Sequence, residues 1–376
     1  PTHVARMTDP VSAAPHWIND PSSLAASLAH APARVALDTE FIRERTYWPQ
    51  LALVQVAFDD DDGTSRVLLV DPLVPGMCDA LAPVLRDPRM LKVMHSPSED
   101  LVALRHACGE VPRPLFDTQA AAAVAGIGVG VGYQKLVEQL TGVALAKGET
   151  RSDWLRRPLS AAQLEYAADD VRHLFEMHDA LRGMLEPLGR VAWVDEDAAR
   201  TVANAQAEAG ERWPHLSLRS AQFLDRDAQL RLLRLLRWRE RHARESDLPK
   251  SWVLDNELAV AIARQAPADA SALDALMQAH PKAPRRLADA VLASLHAPAD
   301  DEADAPMARD NGGDRQRLRA VQQVVTAQAE ALGIADGTLA SRRWLEALLE
   351  DGRWPDALQG WRRAQLEPAL ASLLAR

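Results

Sequence analysis

The chain has 376 residues, 47% of them hydrophobic and 26% charged, with a net charge of −10. This describes a globular protein of two or three domains, and the acidic total argues against a general nucleic-acid binder, which needs clustered Lys and Arg. Cys78 and Cys108 form no disulfide framework or CxxC pair, no stretch nears the ~20 apolar residues of a membrane span, and no apolar leader opens the chain. The expectation is a cytoplasmic, monomeric protein with reduced thiols and no membrane association.

Residues 1–19 read as an N-terminal extension. "RVALDTEF" (34–41) predicts a strand, and "QLALVQVAF" (50–58) a second. "DDDDGTS" (59–65) is a turn on Asp-Gly chemistry, leading to a third strand, "RVLLVDP" (66–72), stopped by Pro72. The order predicts an antiparallel meander. A helix follows over 79–87, then a strand, "LKVMH" (91–95), then a helix from "SPSED" over 96–107, opened by a Ser, a Pro and acids. Helical patterns continue over 116–125 and 133–140, and one long helix is predicted over 160–185. Strands first and strand–helix alternation afterwards indicate a mixed α/β domain over 20–195. Beyond it only helices are predicted. Residues 211–296 form a first helical domain. Residues 297–314, "APADDEADAPMARDNGGD", read as an acidic flexible linker, and 315–376 as a second helical domain with similar patterning.

Chemistry gathers on acids. Asp38 and Glu40 stand two apart on a strand and so point to the same face. Asp100 sits in the first turn of a helix that follows an apolar strand, where sites of α/β sheets collect. In "YAADD", Tyr166 and Asp170 are four apart and share a helix face. Asp169 is turned about a quarter turn away. Each acid alone is ordinary: a solvated strand end, a helix N-terminus, a structural Tyr–Asp pair on one helix face. Brought together, four carboxylates repel one another and lose solvation, and both raise their pKa values. Divalent cations with a preference for hard oxygen donors, Mg²⁺ or Mn²⁺, remove both problems. Two such ions clamp a phosphodiester, and a tyrosine hydroxyl suits the orientation of a water molecule.

These stretches resemble a known family. "DTEF", "HSPSED" and the Tyr-x-x-x-Asp of "YAADD" look like the three exonuclease motifs of the DEDD superfamily, in its tyrosine-bearing branch. "LDTEFIRERTYWPQLALVQV" and "SDWLRRPLSAAQLEYAADDVRHL" are similar to stretches of the bacterial ribonuclease D family, and residues 211–296 and 315–376 to its two helicase-and-RNase-D C-terminal (HRDC) modules. The resemblance covers nearly the whole chain. It implies a ribonuclease H-like α/β mixed-sheet exonuclease domain followed by two small all-α domains. It implies that Asp38, Glu40, Asp100 and Asp170 hold two divalent cations, that Asp38 bridges them, and that Tyr166 positions the nucleophilic water. It implies trimming of 3′ ends of structured RNA, tRNA precursors above all, with release of nucleoside 5′-monophosphates. Asp169 departs from the family pattern, where a small residue is expected. The shared helix face assigns the metal to Asp170 and leaves Asp169 facing solvent or standing behind the ligands.

Contacts to RNA are expected from Thr39, from Phe41 stacked on a base, from Gln55 on the sugar or within the sheet, and from Arg151 on a phosphate. Arg234, Arg237, Arg241 and Arg244 recur at 3- and 4-residue steps on one helix face. They read as a basic track for an RNA backbone. His95 is read as a structural histidine and Trp154 as a packing residue. The expected function is a metal-dependent 3′→5′ exoribonuclease. A 3′→5′ DNA exonuclease on the same fold and a non-catalytic RNA-binding scaffold are the alternatives. The complete acid set opposes the scaffold, because binding a polyanion favours losing carboxylates.

Overall fold

The computed structural model describes residues 14–60, 63–145, 148, 152–207, 210–308 and 315–374. The chain forms two compact units. One is built on Gln50–Ala207, with the stretch up to Ile42 and the C-terminal stretch from Arg317. The other combines Arg43–Pro49 with the described part of 208–316.

The first unit opens with β1 (His16–Ile18) and α1 (Pro21–Ser27), the latter capped by the Asp20 carboxylate. Next come β2 (Arg34–Ile42), β3 (Gln50–Asp59), β4 (Ser65–Val70), α2 (Met77–Arg86), β5 (Leu91–Met94), α3 (Ser98–Cys108), β6 (Leu115–Asp117) and α4 (Thr118–Val124). Helices α5 (Tyr133–Thr141), α6 (Ala161–Arg172), α7 (Leu174–Leu185) and α8 (Val191–Ala207) complete the sequence. The six strands form one mixed sheet in the order β1-β4-β3-β2-β5-β6. The β2–β3 and β3–β4 pairs are antiparallel, as the meander requires, and β1, β5 and β6 join in parallel. Central β3 is buried along Leu51–Phe58, so both its faces are covered. Alternation along β2 decides where the acids go. Val35 and Leu37 enter one apolar cluster, and Ala36 enters the other. Asp38 and Glu40 continue the Ala36 side.

The structure corrects several expectations. Residues 1–19 are not merely an extension, because His16–Ile18 form an edge strand in register with Leu68–Val70. The helix expected over 116–125 begins only at Thr118, since Phe116 and Asp117 extend the sheet through β5. The single helix expected over 160–185 is two helices that meet at His173.

In the second unit, α9 (Arg226–Ser246), α10 (Lys250–Val253), α11 (Asn256–Gln265), α12 (Ala270–Gln278) and α13 (Ala288–His296) enclose a core of Leu232, Leu235, Leu236, Ile262 and Leu295. Trp48 donates its backbone N–H to Asp247 at 2.9 Å, and the Tyr47 hydroxyl donates to Glu240.

Residues 297–308 are not a free linker. Glu302 is buried and takes a bidentate pair from Arg234 at 2.5 and 2.6 Å. Asp301 takes one from Arg237 at 2.7 and 3.1 Å, and the Gln229 amide exchanges two hydrogen bonds with the Ala308 backbone. The acids that mimic a linker composition are counter-ions of α9. Residues 309–314 of that stretch lie outside the described residues. Replacing Arg234 with Ala leaves Glu302 buried and unpaired. It is expected to cost this unit about 3 kcal/mol, read as a lowered urea midpoint, and an unchanged midpoint contradicts the pairing.

Helices α14 (Arg315–Leu332), α15 (Asp336–Leu339), α16 (Arg342–Asp351) and α17 (Trp361–Leu374) end the chain. From Arg317 onward they are part of the first unit rather than a separate body. Trp361 stacks on Trp193 with ring centroids 4.4 Å apart, Arg362 pairs with Asp197, and Arg190 donates to the Val124 and Leu332 carbonyls. Leu318, Val321, Leu345, Leu366 and Leu370 share a cluster with the sheet's Ala36, Leu53 and Phe116. Among the described residues no helix is long and apolar enough to cross a membrane.

Candidate active site

A cavity of about 350 Å³ opens where β2 passes under α6. It is lined by Asp38, Thr39, Glu40, His95, Tyr133, Tyr166, Asp170 and Leu174. Each carboxylate arrives by a different route. Asp38 stands opposite Gln55 in the β2–β3 ladder, and the register shifts between Glu40 and Phe41, a bulge that re-aims the strand end. Asp170 and Tyr166 come from α6, started by a reciprocal capping box between Ser160 and Gln163. Asp100 occupies the first turn of α3. The approach to it is bent at Ser96, whose φ is +54°. Asp117 holds that bend by accepting from the Ser96 N–H at 2.9 Å.

Asp100 does not line the cavity. It is buried beside it and accepts from the Thr39 hydroxyl at 2.5 Å. The carboxylates nevertheless feel one another. Burial holds the Asp38 carboxyl well above the ordinary carboxylate range, and Asp100, Asp170 and Glu40 add to the rise. Glu40 is pushed up to about 8 by burial and then by Asp170 and Asp100. Burial raises Asp170 to about 7, with Asp169 adding and a hydrogen bond from Tyr166 opposing. Asp100 rises to about 6 through burial, offset in part by Thr39. Burial and these acids also raise the Tyr166 phenol. Its ring is backed by buried Trp154, centroids 6.0 Å apart.

This donor set suits a divalent cation chemically: hard oxygens whose ionised forms burial disfavours and a bound positive charge would favour. Beside it, buried Gln55 has both amide atoms without a hydrogen-bond partner, an orphaned polar group across from Asp38. Among the described residues no three of these acids stand close enough to make a finished cage.

The other expected contacts fare differently. The Thr39 hydroxyl is committed to Asp100 rather than to a nucleotide. Phe41 packs on an apolar cluster instead of facing the cavity. Gln55 is fully buried within β3. Arg151 lies outside the described residues. Arg234 and Arg237 are spent on Glu302 and Asp301, which breaks the expected basic track. Arg241 stays exposed on a cavity of about 540 Å³ in the helical unit. Asp169 pairs with Arg172, so Asp170 is the acid that faces the cavity. His95 lines the cavity, with Nδ1 2.8 Å from the Thr118 hydroxyl, and burial lowers it to about 4, which keeps it neutral. Sequence reasoning passed over Tyr133. Its only signal is a tyrosine opening a helix after glycine, which marks no site.

Residues 15–186 match the 3′-5′ exonuclease family, and residues 229–295 match the HRDC domain. The ribonuclease D of Xanthomonas oryzae pv. oryzae is 56% identical over 362 residues, covering 96% of this chain and 98% of that protein. The ribonuclease D of Escherichia coli is 35% identical over 371 residues, 94% of this chain and 96% of that one. The crystal structure of E. coli RNase D, described as an exoribonuclease involved in structured RNA processing, superposes with a TM-score of 0.82 at 32% identity, over 96% of this chain and 98% of that chain. The catalytic core of RRP6 from Trypanosoma brucei, 22% identical with a TM-score of 0.56 over 75% of this chain and 78% of that one, shares the fold. Matched along nearly its whole length by relatives of that name, the chain belongs to the ribonuclease D family.

Proposed function

We propose that this chain is a metal-dependent 3′→5′ exoribonuclease of the tyrosine-bearing DEDD branch. It trims 3′ ends of structured RNAs, tRNA precursors among them, and releases nucleoside 5′-monophosphates. The observation that carries the reading is the meeting of Asp38, Glu40, Asp170 and Tyr166 on one cavity, with Asp100 behind Thr39. Asp38, Glu40, Asp100 and Asp170 are the residues that would hold Mg²⁺ or Mn²⁺. Bound there, a pair of divalent cations supplies Lewis acidity to the terminal phosphodiester.

The chain's own residues do the rest. Thr39 fixes the rotamer of Asp100, and α6 presents Tyr166 and Asp170 together. The Tyr166 hydroxyl, now donating to Asp170, is placed to hold a water by hydrogen bond. That water attacks phosphorus in line. Its oxygen stays on the released 5′-phosphate, and the 3′ oxygen of the shortened chain departs and takes up a proton. Tyr166→Phe is expected to lower kcat by roughly 10²–10⁴, and a wild-type rate removes the tyrosine from this role.

A repeated succession supports reading 315–376 as a second HRDC-like module. A long helix ends at a left-handed residue (Asp247, Gly333). A four-residue helix follows (α10, α15), then an extended residue (Leu254, Ala340), a side-chain cap (Asp255, Ser341) and a ten-residue helix (α11, α16). A constant spacing separates each pair, and Leu232 with Leu318 and Ala243 with Ala329 are buried at matching places.

The test incubates the full chain with 3′-extended tRNA or single-stranded DNA, with Mg²⁺, Mn²⁺ or EDTA. Mononucleotides from RNA, lost in EDTA, are expected. Equal release from DNA favours the DNA exonuclease, and binding without release favours the scaffold.

A further inference from the structure

Helix α6 ends at Arg172 and α7 begins at Leu174. In an unbroken helix the His173 N–H donates to the Asp169 carbonyl. Here a side chain occupies that gap. The Tyr133 hydroxyl donates to the Asp169 carbonyl oxygen at 2.6 Å, and the His173 N–H turns to the Val171 carbonyl instead. A group inserted into the helical ladder is a physical cause of a break. It accounts for two helices where periodicity predicts one.

The break falls beside the site's last acid. Asp170 follows Asp169 directly, inside the spliced turn. Tyr133 is the first residue of α5, and its ring lines the same cavity, edge-on to His95 with centroids 5.7 Å apart. Remove the hydroxyl, and the part-buried Asp169 carbonyl loses this donor. Its nearest replacement is the His173 N–H, which reaches it by closing an ordinary helical turn. Closure rotates the peptide between residues 169 and 170 and swings the Asp170 carboxylate away from Asp38 and Glu40.

We infer that Tyr133 is a positioning residue for hydrolysis: its hydroxyl, bonded to the Asp169 carbonyl that an unbroken helix would give to the His173 amide, sets the direction in which Asp170 faces the cavity. The inference rests on the nuclease reading and adds a second tyrosine to it. Tyr166 serves the water, and Tyr133 serves the acid.

The test is Tyr133→Phe in the full chain, with His173→Ala as control because it keeps the backbone N–H. Outer-shell partners of metal ligands typically carry 10- to 100-fold in affinity or activity. The Phe variant is therefore expected to lose kcat on a short RNA by about 10- to 100-fold, with KM moving less than about threefold. Its Mn²⁺ affinity, read by electron paramagnetic resonance without RNA, is expected to fall about tenfold. His173→Ala is expected to match wild type in both. Wild-type Mn²⁺ affinity and kcat in Tyr133→Phe overturn the inference, as does a loss confined to KM. A Phe variant that fails to fold overturns it as well, since the hydroxyl is assigned to orientation and not to stability. A wild-type chain that neither binds Mn²⁺ nor degrades RNA strikes the nuclease reading itself.

Discussion

Asp38→Asn will silence RNA hydrolysis and, in the absence of metal, will melt above the wild type. The two effects share one cause. Asp38 sits at the middle of the acid cluster, where burial and the charges of Asp100, Asp170 and Glu40 all disfavour its ionised form. Asn keeps the shape and the β2–β3 ladder position opposite Gln55, and removes the charge. The cost of burying that carboxyl among Asp100, Asp170 and Glu40 is thereby removed, so the metal-free fold gains. The site loses a hard ligand at its centre, and the rate should fall on the order of 10⁴-fold, as when one member of a concerted catalytic set is removed. Asp170→Asn and Asp100→Asn are expected to lose rate in the same way, Asp100→Asn despite the Thr39 contact that an Asn oxygen can still accept. Mononucleotide release and thermal melting in EDTA check both halves. An Asn variant that turns over at the wild-type rate sinks the role assigned to these acids.

Local pattern reveals the acid-bearing strand because its signal is local. Apolar Val35, Ala36 and Leu37 followed by Asp38 and Glu40 read as a buried strand with two acids on one face, and β2 is that strand. The choice of Asp170 over Asp169 is local too, since helical phase sets it and Arg172 then neutralises the discarded acid. What pattern hides comes from distant partners. The break at His173 depends on a hydroxyl from α5, far upstream in the chain. The strand at His16–Ile18 exists only because β4 offers an edge. Asp301 and Glu302 read as linker composition until Arg234 and Arg237 are seen across from them, and those same arginines read as an RNA track until their acids are found. Composition cannot tell a solvated charge from one half of a buried pair.

Metal binding and folding should be coupled through pH, and the sign follows from the cluster. In the unfolded chain these carboxyls titrate near 4, about where model peptides do. In the fold Asp100 titrates at about 6, Asp170 at about 7 and Glu40 at about 8, with Asp38 also raised. Between those limits the native state holds more protons than the unfolded one, so raising pH destabilises the metal-free fold. The contribution is complete below the unfolded value and is lost as pH climbs through 6, 7 and 8. A cation needs the deprotonated oxygens, so its affinity rises over the same window. Mn²⁺ should therefore raise the melting temperature little near about pH 5 and by several degrees near about pH 8.5, since a ligand at a hundred times its Kd adds about 2.7 kcal/mol per site. Asp38→Asn, with one ligand gone and the cluster relaxed, should flatten both trends, the fall without metal and the rise with it. Melts across pH, with Mn²⁺ and with EDTA, separate this coupling from generic salt effects. A Mn²⁺ shift of equal size at both ends of the range, or one that Asp38→Asn leaves intact, places the ion somewhere other than among these acids.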